Sequence, residues 1–394
     1  MTRSVGVIST FQTPFASQRP EVTYAEQAQE AAVGALKAAN MRPDDVDAVV
    51  FCMAPTFFMG VADADRWAID YVFGAGKPFF RIHTGGSTGG SAIHAAYALI
   101  RSGMYRSVLI VGAERLGETP DAQEILNLTF DAFYERDMPL STNTSVALMA
   151  SRYMTKYGIT ERDLAQAAVR QRRNALKNPY AHLKGEITID DVMSSPMIAY
   201  PLKLYDICPR SSGSAAMIVG DRETVEAHQS RPAWITGISS RSDTYWLGDR
   251  MTATARTDVG DMGLLALTGQ QVLRENGITN PAQQIQVAEF YDPYTLIGYL
   301  QLEQFGFCEQ GKAPLLDAEG YWNVDGQVAV NPSGGTLCTN PIAVTGLVRA
   351  IDAANQVMGT AGDIQVPGVK NSLATSHGGM AQFTNITVFS DDDR

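Results

Sequence analysis

The chain is short of cysteine, of basic charge and of long apolar runs, and each shortage removes a class of function. Its four cysteines, Cys52, Cys208, Cys308 and Cys338, lie far apart and make no CxxC pair. Such spacing indicates neither a metal site nor a disulfide framework, so each thiol reads as a small buried hydrophobe. Lys and Arg number 31 against 42 Asp and Glu, a formal net charge of -11. That balance leaves nothing to neutralise phosphates, and the basic cluster Arg170, Arg172 and Arg173 is short and mixed with apolar residues, so nucleic acid is not an expected partner. Nowhere do about 18 apolar residues run uninterrupted, and the opening MTRSVGVIST holds too short an apolar stretch for a secretory signal, so no membrane span is expected and the expected location is cytoplasmic.

What is present suits a large globular protein. With 394 residues, 45% hydrophobic and 19% charged, the chain can bury a sizeable core as one big or two intimately joined domains. Strand and helix signals alternate, the pattern of a layered α/β protein. Residues 4–10, 46–53 and 107–113 read as buried strands. Tyr24 to Asn40 carries Ala and Leu at helical spacing behind Thr23 as N-cap, and 91–102 reads as an apolar helix. The second half repeats the first: helix, turn and strand over 24–51 recur over 264–290, and the turn HTGGSTGGSA at 83–92 is matched by NPSGGTLCTNPIAVTG at 331–346. A period near half the chain predicts two similar halves, 1–230 and 231–394, with the seam within 221–240. Residues 114–205 look less regular, with Met138, Pro139 and a polar run Ser141–Thr144, and read as an inserted loop domain over the site.

The turn Gly85-Gly86-Ser87-Thr88-Gly89-Gly90 between strand and helix aims backbone N–H groups at a helix N-terminus, where negative charge is favoured. It lacks the lysine of a phosphate-binding P-loop and the GxGxxG order of a dinucleotide site.

Five segments together resemble the thiolase superfamily, above all its lipid-transfer-protein or sterol-carrier-type branch: GGSTGGSAIHAA at 85–96, CPRSSGSAAMIVGD at 208–221, YDPYTLIGYLQLEQFGF at 291–307, NPSGGTLCTNPIAVTG at 331–346 and SHGGMAQ at 376–382. The resemblance spans nearly the whole chain in the family's order and implies a five-layered αβαβα fold. The catalytic letters differ. Gly86 stands where thiolases carry the nucleophilic cysteine of Cys-x-x-Gly. Tyr291-Asp292-Pro293-Tyr294 stands for the branch's His-Asp-x-Phe, and Thr339-Asn340-Pro341 for Gly-His-Pro. The C-terminal cysteine base falls near Thr375, leaving Ser376-His377-Gly378-Gly379.

A thiolase parks its acyl group on a thiol, and a glycine at 86 closes that route. Retro-aldol cleavage of a β-hydroxyacyl-CoA needs no covalent intermediate, only a base for the β-hydroxyl, donors for the thioester oxygen and an acid. Tyr291, Tyr294 and His377 are the proton-transfer candidates, with the Tyr291 pKa lowered by nearby dipole ends. Asn340 joins the helix-start amides at Gly86, Ser87 and Gly379 as oxyanion and substrate-binding groups. His83 is read as satisfying a backbone carbonyl, His94 as buried, and Cys338 as the only thiol near the site.

Cysteine-less members of the branch are associated with aldol cleavage of steroid or branched side-chain CoA thioesters, usually beside a small companion with an OB-fold and zinc ribbon. The resemblance therefore implies a lyase acting on a bulky β-hydroxyacyl-CoA, in a homodimer able to recruit that companion, with coenzyme A entering as part of the substrate and no other cofactor. Two alternatives stay open. One is an acyltransferase with Ser87 or Cys338 as substitute nucleophile; the other is a non-catalytic acyl-CoA or lipid-binding subunit.

Overall fold

The computed structural model describes residues 4–60, 62–251 and 258–393. Besides a small hairpin of Met197–Ala199 and Leu202–Lys203, its strands are Val5–Gln12 (β1), Ala48–Cys52 (β2), Phe79–Ile82 (β3), Ser107–Arg115 (β4) and Ser212–Asp221 (β5), then Ala233–Ser242 (β6), Val287–Glu289 (β7), Ala329–Val330 (β8), Asn371–Gly378 (β9) and Phe383–Ser390 (β10). They form one sheet in the order β8-β7-β9-β10-β6-β1-β5-β4-β2-β3. Each set of five thus repeats one order, third-second-fourth-fifth-first. The two first strands, β1 and β6, meet edge to edge through Gly6 with Trp234 and Val7 with Ala233. The parallel pairs are also equivalent: β2 lies parallel to β3 and β4, and β7 to β8 and β9.

The principal helices are Tyr24–Ala39 (α1), Thr88–Arg101 (α2), Thr142–Tyr157 (α3), Glu161–Ala175 (α4), Gly263–Glu275 (α5), Thr295–Gln304 (α6) and Thr345–Met358 (α7). Helix α1 packs outside the first half of the sheet, α5 outside the second, and α2 and α7 lie together between the halves. The result is the five-layered α/β/α/β/α arrangement. Helix α1 starts where Thr23 and Glu26 exchange hydrogen bonds, and it stops at Asn40 in the left-handed conformation; both are strong local signals. Helix α7 is buried on all sides except at Asn355, as a middle layer must be. Glycines let the two central helices meet: a Cβ at Gly89 would strike the backbone at Gly346 and Leu347, and one at Gly90 would strike Ser376. The second glycine pair of the GGSTGG turn therefore serves packing.

Region 114–205 is more ordered than its sequence suggests. The polar run Ser141–Thr144 is a capping box that opens the 16-residue helix α3, and Thr160 with Asp163 opens α4 in the same way. These helices share a hydrophobic cluster with the second half: Val146, Tyr153 and Leu164 pack with Leu265, Phe290 and Tyr299. The insertion runs between β4 and β5 of the first half in chain order and packs on the second. No helix among the described residues is long and apolar enough to cross a membrane.

Candidate active site

A cavity of about 670 Å³ opens where the turn before α2, the end of β7, the turn before α7 and the end of β9 converge. Its polar end holds Gly86, Tyr291, Asn340, His377 and Gly379, four of them brought from separate parts of the chain. Its other wall is apolar, built from Ile125, Leu126, Val146, Met149 and Ile297. A concave, mostly apolar site with a few convergent polar groups is the usual form of a small-molecule pocket.

At the centre of the polar end, the Tyr291 hydroxyl fills the space above Gly86. A Cβ at position 86 would lie 2.6 Å from the Tyr291 hydroxyl oxygen and 2.5 Å from the His377 carbonyl oxygen. Any side chain there has been displaced by the phenol. Tyr291 itself is 5% exposed, and among the described residues its hydroxyl has no hydrogen-bond partner. Burial raises its pKa above the ordinary phenol value, the opposite of the lowering expected from nearby dipole ends. The desolvation of a phenolate outweighs whatever the helix starts contribute. Tyr291 is thus a neutral phenol, a donor rather than a resting base.

His377 packs edge to face against Tyr291, with ring centroids 6.1 Å apart. Its Nδ1 lies 3.2 Å from Thr384 Oγ1, and its buried Nε2 has no partner among the described residues. Desolvation lowers its pKa to about 3, so the imidazole is neutral. Asn340 is held through three atoms: its N–H donates to Ser211 Oγ, its Oδ1 accepts from Thr345 Oγ1, and its Nδ2 donates to Cys208 Sγ at 3.1 Å. One Nδ2 hydrogen remains for a ligand. Tyr294 also lines the cavity, but its hydroxyl donates to Asn143 Oδ1 at 2.8 Å and so ties the α3 wall to the site. Gly379 belongs to a turn that packs on the first: a Cβ at Gly85 would lie 3.4 Å from the Gly379 nitrogen. The buried Asp292 sits behind the cavity, accepting from Gln171, Asn331 and the Thr336 N–H, and it does not line the wall.

Three sequence expectations are corrected. Ser87 is fully buried and donates to the Thr84 carbonyl at 2.7 Å; one step past Gly86, its side chain turns away from the cavity into the start of α2. Its hydroxyl does not line the cavity, so the side chain is not placed to act as a nucleophile there. Cys338 is fully buried beside Ala175 and Ala181, off the cavity wall. The thiol that does line the cavity is Cys208. Its N–H donates to the Pro293 carbonyl across the fold, and burial pushes its pKa up to about 12. The only sequence signal for Cys208 was its place at the head of CPRSSGSAAMIVGD. His83 is exposed at the cavity rim rather than bound to a carbonyl, whereas His94 is half-buried against the Ile386 carbonyl and Thr387.

Comparison with known proteins agrees with this geometry. Residues 5–223 match the family model "Thiolase, N-terminal domain" and 248–391 match "Thiolase C-terminal domain-like". An acetyl-CoA acetyltransferase of Methanothermobacter thermautotrophicus is 27% identical over 98% of this chain and 100% of its own length. A 17-hydroxy-3-oxo-4-pregnene-20-carboxyl-CoA lyase of Mycobacterium tuberculosis is 30% identical over 90% of this chain and 91% of its own. Among solved structures, the Ltp2-ChsH2(DUF35) aldolase superposes with a TM-score of 0.82 at 26% identity, covering 98% of both chains. With its duplicated five-strand order, its central pair of helices and a glycine in place of the thiol, the chain belongs to the thiolase superfamily, in the lipid-transfer-protein branch that lacks the nucleophilic cysteine.

Proposed function

We propose that the protein is a lyase that cleaves a carbon–carbon bond in a bulky, steroid-like or branched β-hydroxyacyl-CoA without forming an acyl-enzyme. The observation that carries this reading is the unpartnered Tyr291 hydroxyl standing in the space a side chain at Gly86 would need. The names of the lyase and aldolase relatives support the reaction class.

In the proposed reaction, His377 Nε2 accepts the β-hydroxyl proton as the Cα–Cβ bond breaks. The β-carbon leaves as a ketone or aldehyde, and the bonding electron pair moves into a thioester enolate. The low pKa of His377 belongs to a site without charge; negative charge developing beside the ring favours the imidazolium as the reaction proceeds. Tyr291 Oη and the free Asn340 Nδ2–H are the donors that hold the thioester oxygen, each strengthened by the dry surroundings. The imidazolium then returns the proton to Cα, releasing the shortened acyl-CoA. No oxidant or metal is needed for this balance, so coenzyme A, as part of the substrate, is the only cofactor in the scheme. The same reading includes a cytoplasmic homodimer and a small OB-fold, zinc-ribbon companion; the two-part Ltp2-ChsH2(DUF35) aldolase that the chain resembles supports a companion.

The acyl-transfer alternative has one observation in its favour, the Cys208 thiol in the cavity wall. A thiol with its pKa near 12 and only an amide donor beside it is a poor nucleophile at neutral pH. Product analysis separates the readings. Given a bulky β-hydroxyacyl-CoA, the protein with its companion is expected to yield a ketone or aldehyde and a shortened acyl-CoA, and to leave a 3-oxoacyl-CoA intact in the presence of free coenzyme A. Thiolysis of the 3-oxo compound, with the hydroxy compound untouched, would reverse the assignment.

A further inference from the structure

The ladder between β7 and β9 ends at the pair Glu289 and Ala374, and Tyr291 lies two residues beyond it. At that point the backbone has left the sheet while still buried, and its N–H and C=O must find other partners. They find two side chains. The Tyr291 N–H donates to Thr375 Oγ1 at 2.9 Å, and the Tyr291 carbonyl accepts from Gln301 Nε2 at 2.9 Å. Thr375 Oγ1 in turn donates to Gln301 Oε1 at 2.5 Å, which closes a ring of three hydrogen bonds around one residue. Gln301 is wholly buried and Thr375 is 2% exposed. Gln301 Nε2 also lies 3.3 Å from the Ile297 carbonyl one turn back on α6, so the amide is fully used and its orientation is set.

Resting on the lyase reading above, we propose that Thr375 and Gln301 are positioning residues, which fix the main chain of Tyr291 so that its hydroxyl stands over Gly86. Neither side chain lines the cavity, so neither touches substrate; both act through Tyr291. Among the described residues the phenol has no hydrogen bond of its own to hold it, and its placement therefore depends on where the backbone is pinned. A donor displaced by about 1 Å from the developing oxyanion loses most of its worth, which sets the expected size of the effect.

The test is a double-mutant cycle. Thr375→Val keeps the shape of the side chain and removes both of its hydrogen bonds. It is expected to lower kcat by about 10- to 100-fold with KM nearly unchanged, and Thr375→Ser is expected to restore most of the loss. In a Tyr291→Phe background the same Thr375→Val change is expected to cost little more, because the group it positions is already gone. Equal factors in both backgrounds would overturn the proposal, as would a folded T375V enzyme with undiminished kcat. If T375V does not fold, Gln301→Met replaces it in the same cycle. A crystal structure of either variant supplies a readout independent of turnover: Tyr291 shifted from Gly86 supports the positioning role, and Tyr291 unmoved contradicts it. Retention of full activity by Tyr291→Phe alone would instead count against the lyase mechanism itself.

Discussion

Tyr291→Phe is expected to lower kcat for β-hydroxyacyl-CoA cleavage by about 100- to 1,000-fold, the range seen when one oxyanion donor is removed. KM is expected to change little, because a neutral phenol in a dry pocket gains most as the thioester oxygen becomes an enolate, not while the substrate is merely bound. The substitution removes one oxygen and no packing, and that oxygen makes no hydrogen bond to any described residue, so the melting temperature should stay close to that of the parent protein. Steady-state kinetics with a thermal melt on the same preparations check both halves. A kcat within roughly three-fold of the parent would remove Tyr291 from the mechanism.

Gly86→Cys restores the letter that thiolases carry, and it is expected to destroy activity without creating a thiolase. The new Cβ would stand 2.6 Å from the Tyr291 hydroxyl and 2.5 Å from the His377 carbonyl. The phenol can swing aside, but the carbonyl belongs to β9, which is paired along its length with β10. The strain is expected to cost about 1–3 kcal/mol of stability and to push Tyr291 out of the oxyanion position. With burial holding the His377 pKa near 3, the new thiol also has only a weak base to make it a thiolate. Gly86→Ala separates the two effects, since it brings the same Cβ without sulfur and should lose lyase activity to a similar extent. Coenzyme-A-dependent thiolysis by the cysteine variant would show that the pocket still holds thiolase machinery.

The fold was legible wherever local chemistry decided it. The Val- and Ile-rich strands, the Thr23 and Glu26 cap of α1 and the paired glycine turns all form where the residues alone predict. The repeat of helix, turn and strand was visible because both halves solve the same packing problem with the same strand order. In the insertion the polar run Ser141–Thr144 reads as part of a loop domain, because the same polar residues serve loops and helix caps; the structure makes it a cap, as it does Thr160 with Asp163. Within the site, Gly86, Tyr291, Asn340 and His377 could be singled out because family resemblance placed them on turns at strand and helix ends.

Their chemistry was another matter. The pKa directions of Tyr291 and His377 follow from burial, which depends on what the rest of the chain lays over them. Ser87 differs from Gly86 by one residue, yet the roughly 100° advance at a helix start turns it from cavity to core. Cys208 reaches the wall through contacts with Pro293 and Asn340, and Tyr294 finds Asn143, 151 residues away in sequence and in the other half of the chain. No local pattern encodes such meetings.

The central claim is that cleavage proceeds without a covalent acyl-enzyme, and the intact mass of the protein quenched during turnover tests it most directly. The mass is expected to remain that of the unmodified chain while the shortened acyl-CoA accumulates. A population heavier by the acyl group, whether mapped to Cys208 or to any other side chain and formed fast enough to account for the product, would contradict the account.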